Sequence, residues 1–164
     1  MKKIIIVRHA KSSWEHPGLK DIERPLNDRG LRNAPAMGGR LKDLGVRPDL
    51  LIASPARRTW HTAQFFAEAT GYNGEIQSVP QLYVARPEDI LELIQGLDNN
   101  LAEVLIFGHN PTITDLVNLF SESYISNVPT CGIGVIEAEI DDWQAFLPAT
   151  GRLRHFLYPK MFTH

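Results

Sequence analysis

Three times along this chain a short, wholly apolar run ends in a turn that carries a cation or a histidine, and a helical pattern follows. Ile4-Ile5-Ile6-Val7 leads to Arg8-His9, Leu50-Leu51-Ile52-Ala53 leads to Ser54-Pro55 and then Arg57-Arg58, and Val104-Leu105-Ile106-Phe107 leads to Gly108-His109-Asn110-Pro111. Apolar runs of this length without polar alternation suit strands buried on both faces. Strands that alternate with helices form parallel sheets through right-handed crossovers, which bring the strand carboxyl ends to one edge. Ligands of open α/β sheets bind at that edge. The expected fold is therefore α/β, a three-layer α/β/α sandwich around a mixed, mostly parallel central sheet.

The remaining elements fit this frame. Asn27 is placed to cap a helix with Leu31, Ala34, Met37, Leu41 and Leu44 on one face, ending near Gly45, and Pro35 within it predicts a kink or a separate first turn. From Ala56, a second helix presents Thr59, Ala63, Phe66, Ala67 and Thr70 and closes at Gly71. Glu75 to Val79 alternates as a strand, and Pro87 opens a helix with Ile90, Leu91, Ile94 and Leu97 inward. Ile113, Leu116, Val117 and Phe120 mark the helix after the third strand ending. Ile133 to Ile140, Trp143 to Leu147 and Arg152 to Leu157 read as β segments without intervening helices, an antiparallel finish to one sheet edge. Lys11 to Leu26, with Pro17, Gly18 and Pro25, is a long loop lying over the end of the first strand.

Composition narrows the function classes. The 164 residues, 43% hydrophobic, suit a single domain spanning 1–164. Lys and Arg number 17 against 19 Asp and Glu, so no global field favours nucleic acid or an anionic membrane, and any anion site is local. The single cysteine, Cys131, forms no internal disulfide and suits a reducing compartment. It also fails as the nucleophile of a cysteine-phosphatase loop, because Glu137 stands where that loop needs arginine. Four apolar residues after Met1-Lys2-Lys3 are too few for a signal peptide or a membrane span, so a soluble cytoplasmic protein is expected. No histidine, cysteine and carboxylate grouping has metal-ligand spacing, and neither a metal nor another cofactor is expected.

Convergence of the three endings would gather Arg8, His9, Arg58 and His109. Guanidinium forks match phosphate oxygens, and the helix after Gly108-His109-Asn110-Pro111 would add backbone donors. Neighbouring positive charge holds a histidine neutral, and neutral imidazole is a nucleophile. If His9 attacks phosphorus in line, a phosphohistidine intermediate forms and the cations stabilise the equatorial oxygens. Taken singly, each ending also has a structural reading as a salt bridge, a turn cap or a solvated helix start; their coincidence points to a dianion site. His16, His61, His155 and His164 lack such a context and read as surface or structural residues.

At these residues the chain resembles the histidine phosphatase superfamily, the phosphoglycerate mutase-like group, and most closely its short SixA-like phosphohistidine phosphatases. The resemblance rests on Val7-Arg8-His9-Ala10-Lys11, on Arg24-Pro25-Leu26-Asn27-Asp28-Arg29-Gly30, on Ser54-Pro55 with Arg58, Thr62 and Ala63, and on Gly108-His109-Asn110-Pro111. It implies that His9 accepts the phosphoryl group, Arg8 and Arg58 bind phosphate, and His109 stabilises the transferring group. It selects Arg58 over Arg57 because the family's arginine falls four residues after the serine matched by Ser54. The chain departs from the pattern at Thr59-Trp60-His61, which leaves open whether Trp60 and His61 alter the site. Larger members also carry a general-acid glutamate after the third strand, in a segment that closes over substrate. Ser78-Val79-Pro80-Gln81-Leu82-Tyr83 offers no such carboxylate.

That difference bears on substrate. An alkoxide needs a proton to leave, whereas imidazole, with a conjugate-acid pKa of about 6.5, can take one from solvent. A short chain without a closing segment also admits a protein. The expected substrate is a phosphorylated protein carrying phosphohistidine. A small phosphorylated metabolite is the alternative, and a non-catalytic phosphate-binding module a third reading. Glu15, Asp21 and Glu88 are the candidate substitute acids, and the oligomeric state stays open.

Overall fold

In the computed structural model, which describes residues 1–163, β1 (Lys2–Arg8) runs through the interior of a six-stranded sheet. Ile4, Ile5, Ile6 and Val7 have no solvent exposure, which is why this strand shows no polar alternation. β1 pairs in parallel with β4 (Glu103–Gly108), which pairs in parallel with β2 (Leu50–Ala53), and β3 (Ile76–Ser78) completes the parallel side. On its other side β1 pairs antiparallel with β5 (Ile133–Ala138), followed by antiparallel β6 (Gly151–Leu157). The register sets Arg8 opposite Gly108 and Ala53 opposite Phe107, so the three strand endings lie level along the carboxyl edge.

Alternate residues of the buried strands feed two cores. Ile5, Val7, Leu51, Ala53, Leu105 and Phe107 pack against α1 (Asp28–Asp43) and α2 (Arg57–Thr70) through Ala34, Met37, Leu41, Ala63 and Phe66. On the opposite face, Ile4, Ile6, Ile52, Val104 and Ile106 meet α3 (Pro87–Gln95) and α4 (Thr112–Asn118) through Ile90, Ile94, Ile113, Leu116 and Val117. The result is the expected three-layer α/β/α sandwich with a mostly parallel sheet. No helix among the described residues is long and apolar enough to cross a membrane.

The start of α1 is fixed to the chain leaving β1. The Asn27 side chain accepts the Gly30 N–H at 2.9 Å, as an N-cap should. A β-carbon at Gly30 would lie 2.2 Å from the Lys11 carbonyl oxygen, so only glycine lets this turn settle there.

Several sequence expectations are corrected. α1 continues through Pro35 as one helix with no separate first turn, and the exposed position of Pro35 leaves the carbonyl it deprives of a donor open to solvent. Leu31 and Leu44, expected on the inner face, are each 41% exposed. Leu91 and Leu97 of the α3 region are only partly buried. Trp143–Ala145 forms a 3₁₀ turn rather than a strand, because the large side chains of Trp143 and Phe146 both turn inward against the α3 and α4 core and strand alternation cannot place them there. The Lys11–Leu26 loop is held by a bridge between Ser12 and Leu26 and contains a 3₁₀ turn at Asp21–Glu23. His164 lies outside the described residues.

Candidate active site

β1 delivers Arg8 and His9 to the carboxyl edge, and backbone bonds fix the point of exit. Arg8 donates its N–H to Gly132 at 3.0 Å and His9 donates to Gly108 at 3.1 Å. Cys131, in the left-handed region at φ 61, donates its N–H to the carbonyls of both Arg8 and His9 at 3.0 and 2.9 Å. Its thiol is buried and burial pushes its pKa up, so Cys131 serves the site through its backbone.

His9 is 8% exposed, and its Nδ1 lies 2.8 Å from the Ala10 carbonyl. A carbonyl only accepts, so Nδ1 carries the proton and Nε2 keeps a free lone pair. Burial, opposed by the Ala10 bond and reinforced by His109, Arg58 and Arg8, brings the His9 pKa down to about 3. His109, whose ring centroid is 5.3 Å from that of His9, is lowered to about 4 by burial and then by Arg58. Both imidazoles are therefore neutral at neutral pH.

His109 Nε2 lies 2.8 Å from the Ser54 hydroxyl oxygen and 3.3 Å from that of Thr59. Ser54 Oγ accepts the Ala56 N–H and has its own proton to donate to His109 Nε2. In the tautomer where Nε2 accepts that proton, His109 Nδ1 carries the N–H. Thr62 ties the same helix to the segment that carries His9: its hydroxyl donates to the Arg58 carbonyl at 2.7 Å and accepts the Ala10 N–H at 3.0 Å.

The two arginines are held but not saturated. Arg8 Nη1 donates to the Val128 carbonyl at 3.0 Å, and Arg58 donates from Nη1 to the Asp21 carbonyl at 2.8 Å and from Nη2 to Asp21 Oδ2 at 3.0 Å. The Nε–H of each is buried without a partner among the described residues. Buried charged donors left unpaired are costly, and an anion presented between them removes the cost. Arg57 is exposed while Arg58 is 7% exposed, so the structure brings Arg58 into the cluster and leaves Arg57 out.

Asp21 does not fit the role of proton donor. It accepts from Tyr83 at 2.5 Å, from Arg24 at 2.9 Å and from Arg58, and these bonds, Tyr83 foremost, hold its carboxyl well below the usual carboxylate range. It is an ionised clamp on Arg58. Glu15 and Glu88 are exposed, and no hydrogen bond or ion pair among the described residues joins either to the cluster. Two of the backbone donors expected from α4 are occupied: Ile113 N–H bonds the His109 carbonyl, and Asn110 Oδ1 caps Thr114 N–H at 3.1 Å. Trp60 packs against the α1 and α2 core and His61 stacks on Phe65 at 4.7 Å, so both support the helix away from the cluster.

Sequence reasoning passed over Tyr83. It lies in a 3₁₀ turn, Pro80–Tyr83, after β3, with its ring edge-on to His109 at 5.6 Å. No spacing rule marks it, since the contact with Asp21 joins residues 62 positions apart. Thr59, Ser54 and the Val128 carbonyl likewise act through tertiary contacts.

Comparison with known proteins agrees with this geometry. The family described as the histidine phosphatase superfamily (branch 1) matches residues 4–83. The SixA protein of Agrobacterium tumefaciens shares 32% identity, with 96% of this chain and 98% of that one covered and a TM-score of 0.81. An uncharacterized protein of Mycobacterium tuberculosis is 29% identical over 94% of this chain and 100% of its own length. A SixA protein histidine phosphatase complexed with tungstate, 20% identical, shares the fold at a TM-score of 0.83 over 98% of this chain and 99% of its own. The chain belongs to the histidine phosphatase superfamily, in its SixA-like branch.

Proposed function

We propose that this chain is a metal-independent phosphatase that passes a phosphoryl group through His9, and that its substrate is phosphohistidine on a protein. The observation that carries the reading is the unprotonated Nε2 of His9 set among two arginines, buried Arg58 and half-buried Arg8, that each keep a buried, unpartnered Nε–H. In the first step Nε2 attacks phosphorus in line as the bond to the leaving group breaks. Arg8, Arg58 and the Nδ1–H of His109 gather the equatorial oxygens, which is the electrostatic work this transition state asks of a protein. In the second step water attacks phospho-His9 and restores the imidazole. The charge on phosphorus is met by guanidinium groups, and no step calls for a metal.

Two features support phosphohistidine over a sugar phosphate. The candidate carboxylic acids are either ionised, as Asp21 is, or unconnected to the cluster, as Glu15 and Glu88 are. A leaving imidazole tolerates that better than an alkoxide. The connection between β3 and α3 also contains only the 3₁₀ turn at Pro80–Tyr83, so the carboxyl edge has no inserted helical segment above it.

The test compares wild type with His9→Ala on a phosphohistidine peptide, following phosphate release and trapping the acid-labile phosphoenzyme. Wild type is expected to turn over and to carry label, and the variant to do neither. Equal turnover by both proteins overturns the nucleophile assignment. Rapid hydrolysis of phosphate monoesters with none of the phosphopeptide overturns the substrate.

A further inference from the structure

The groups that bind phosphate leave one chemical task unassigned, the proton required by a leaving group. Neither histidine holds a transferable proton for it, because both are neutral and His109 uses its N–H as an oxyanion donor. Beside His109, a groove of about 330 Å³ opens between the Pro80–Tyr83 turn and the turn into α4, lined by Leu82, Tyr83, Ala85, His109, Asn110 and Pro111. It borders the cluster through His109, and it is mostly apolar. Among its lining groups the Asn110 amide has no acidic proton and is bonded to Asn127 and Val128, while the Thr112 hydroxyl is bonded to the Ala85 carbonyl. Tyr83 remains.

Resting on the phosphatase reading above, we propose that the Tyr83 hydroxyl donates the proton to the leaving group during transfer to His9 and recovers it from water when phospho-His9 is hydrolysed. Its position carries the argument. The ring stands edge-on to His109 at 5.6 Å, and the hydroxyl bonds the same Asp21 oxygen, Oδ2, that Arg58 Nη2 bonds. The phenol thus sits between two of the groups assigned to phosphate, with its oxygen held beside Arg58 and its ring beside the groove. Rotation about the C–O bond alone redirects the proton from Asp21 to a leaving atom, while Asp21 keeps its bonds to Arg24 and Arg58.

The two steps balance. As the His9 Nε2–P bond forms, the P–N bond of the substrate breaks, its electron pair stays on the imidazole nitrogen and the Tyr83 proton moves there. As water adds to phosphorus, the P–Nε2 bond breaks, its pair returns to His9 and a water proton restores the phenol. The charged and titratable groups facing Tyr83 are Asp21, with Arg24 behind it, from the first loop, Arg58 from α2, and His109 from the turn after β4. Bonding to Asp21 raises the Tyr83 pKa, so the hydroxyl stays protonated across the neutral range. A weak acid of this kind serves strongly basic leaving groups, such as an imidazole whose distal nitrogen carries no proton, and adds little for a nitrophenolate.

The experiment is single-turnover phosphorylation of His9 in wild type and Tyr83→Phe, with N-phosphorylated imidazole and p-nitrophenyl phosphate as probes. At about pH 8.5 the variant is expected to lose about 10²-fold with phosphorylated imidazole. At about pH 6 the loss shrinks, since solvent then protonates the distal nitrogen of an imidazole whose ordinary pKa is about 6.5. With p-nitrophenyl phosphate the rate of phosphoenzyme formation stays within about twofold at either pH, and phospho-His9 accumulates from both probes because its hydrolysis is slowed. An equal, pH-independent loss on the two probes assigns Tyr83 a purely structural part and overturns the proposal. So does the absence of any loss. A wild type that forms no phosphoenzyme from either probe overturns the phosphatase reading itself.

Discussion

Strand β1 carries a cation at each end, buried Lys2 and half-buried Arg8, and the surroundings of the two are opposite in kind. Lys2 is 6% exposed, and its ammonium donates to the carbonyls of Asn99 at 2.6 Å and Leu101 at 2.8 Å, with the Trp143 ring centroid 5.3 Å away. Its charge is met from within the fold. Arg8, at the other end of the strand on the carboxyl edge, has one bond to a carbonyl and a buried Nε–H with none. Burial also lowers the Arg8 pKa, a sign that its charge is poorly compensated. A satisfied buried cation is part of the fold's stability, and an arginine with an unpaired buried donor beside a second arginine is what the proposed anion site requires, at some cost to stability. What separates the two cations is their hydrogen-bond accounting: Lys2 is matched by two carbonyls, and Arg8 keeps a donor unmatched.

The sharpest way to break this comparison is to remove each cation in turn. Arg8→Met is expected to lower kcat/KM by about 10²- to 10³-fold, the scale of deleting one preorganised donor to a transition-state oxyanion. Its unfolding free energy should stay within about 1 kcal/mol of wild type, because a lost carbonyl bond is offset by removal of an unpaired buried donor. Lys2→Met should do the reverse, leaving kcat/KM within about twofold while stability falls by about 1–3 kcal/mol as two carbonyls lose a charged donor. Steady-state kinetics and urea unfolding on the two variants measure both axes. Parallel behaviour of the two would erase the distinction.

Anion binding sharpens the same contrast. If the unpartnered Nε–H groups of Arg8 and Arg58 form a dianion site, inorganic phosphate at about a hundred times its dissociation constant should stabilise the fold by about 2.7 kcal/mol. The Lys2→Met protein should keep that increment and the Arg8→Met protein should lose most of it at the same phosphate concentration. Thermal unfolding with and without phosphate reads the difference directly.

The two ends of β1 also show what a linear reading can reach. The gathering of Arg8, His9 and His109 was legible because parallel register brings their strand endings level, whereas Arg58, inside α2, was separated from Arg57 by the spacing of the family the chain resembles. Asp21 was legible as a nearby carboxylate but not as an ionised clamp, since its state depends on Arg24, Arg58 and Tyr83 reaching it from three elements. Tyr83 was invisible for the same reason. Lys2 reads in sequence as one of two lysines at a strand start, and only the return of Asn99 and Leu101 beneath it shows why it is buried. Pro35 and Trp143 misled because local rules for helix and strand were overridden, in one case by solvent on the proline's face and in the other by core packing.

Acid offers the gentlest probe of the carboxyl edge. His9 and His109 are held down to about 3 and about 4 in the folded protein, against an ordinary value of about 6.5 in the unfolded chain. Below about pH 6.5 the unfolded state therefore binds protons that the folded state refuses, and stability rises with pH through that window and falls as pH drops from about 6.5 toward about 4. The slope is at most about 1.4 kcal/mol per pH unit for each histidine, with the less buried His109 contributing less than His9. Urea unfolding at a series of pH values should show this decline in wild type and a shallower one in His9→Asn. The Lys2→Met protein, which retains both histidines, should start lower and decline with the wild-type slope. A wild-type curve flat between about pH 6.5 and about pH 4.5 would mean that the carboxyl edge accepts protons freely, and the neutral nucleophile inferred for His9 would lose its physical basis.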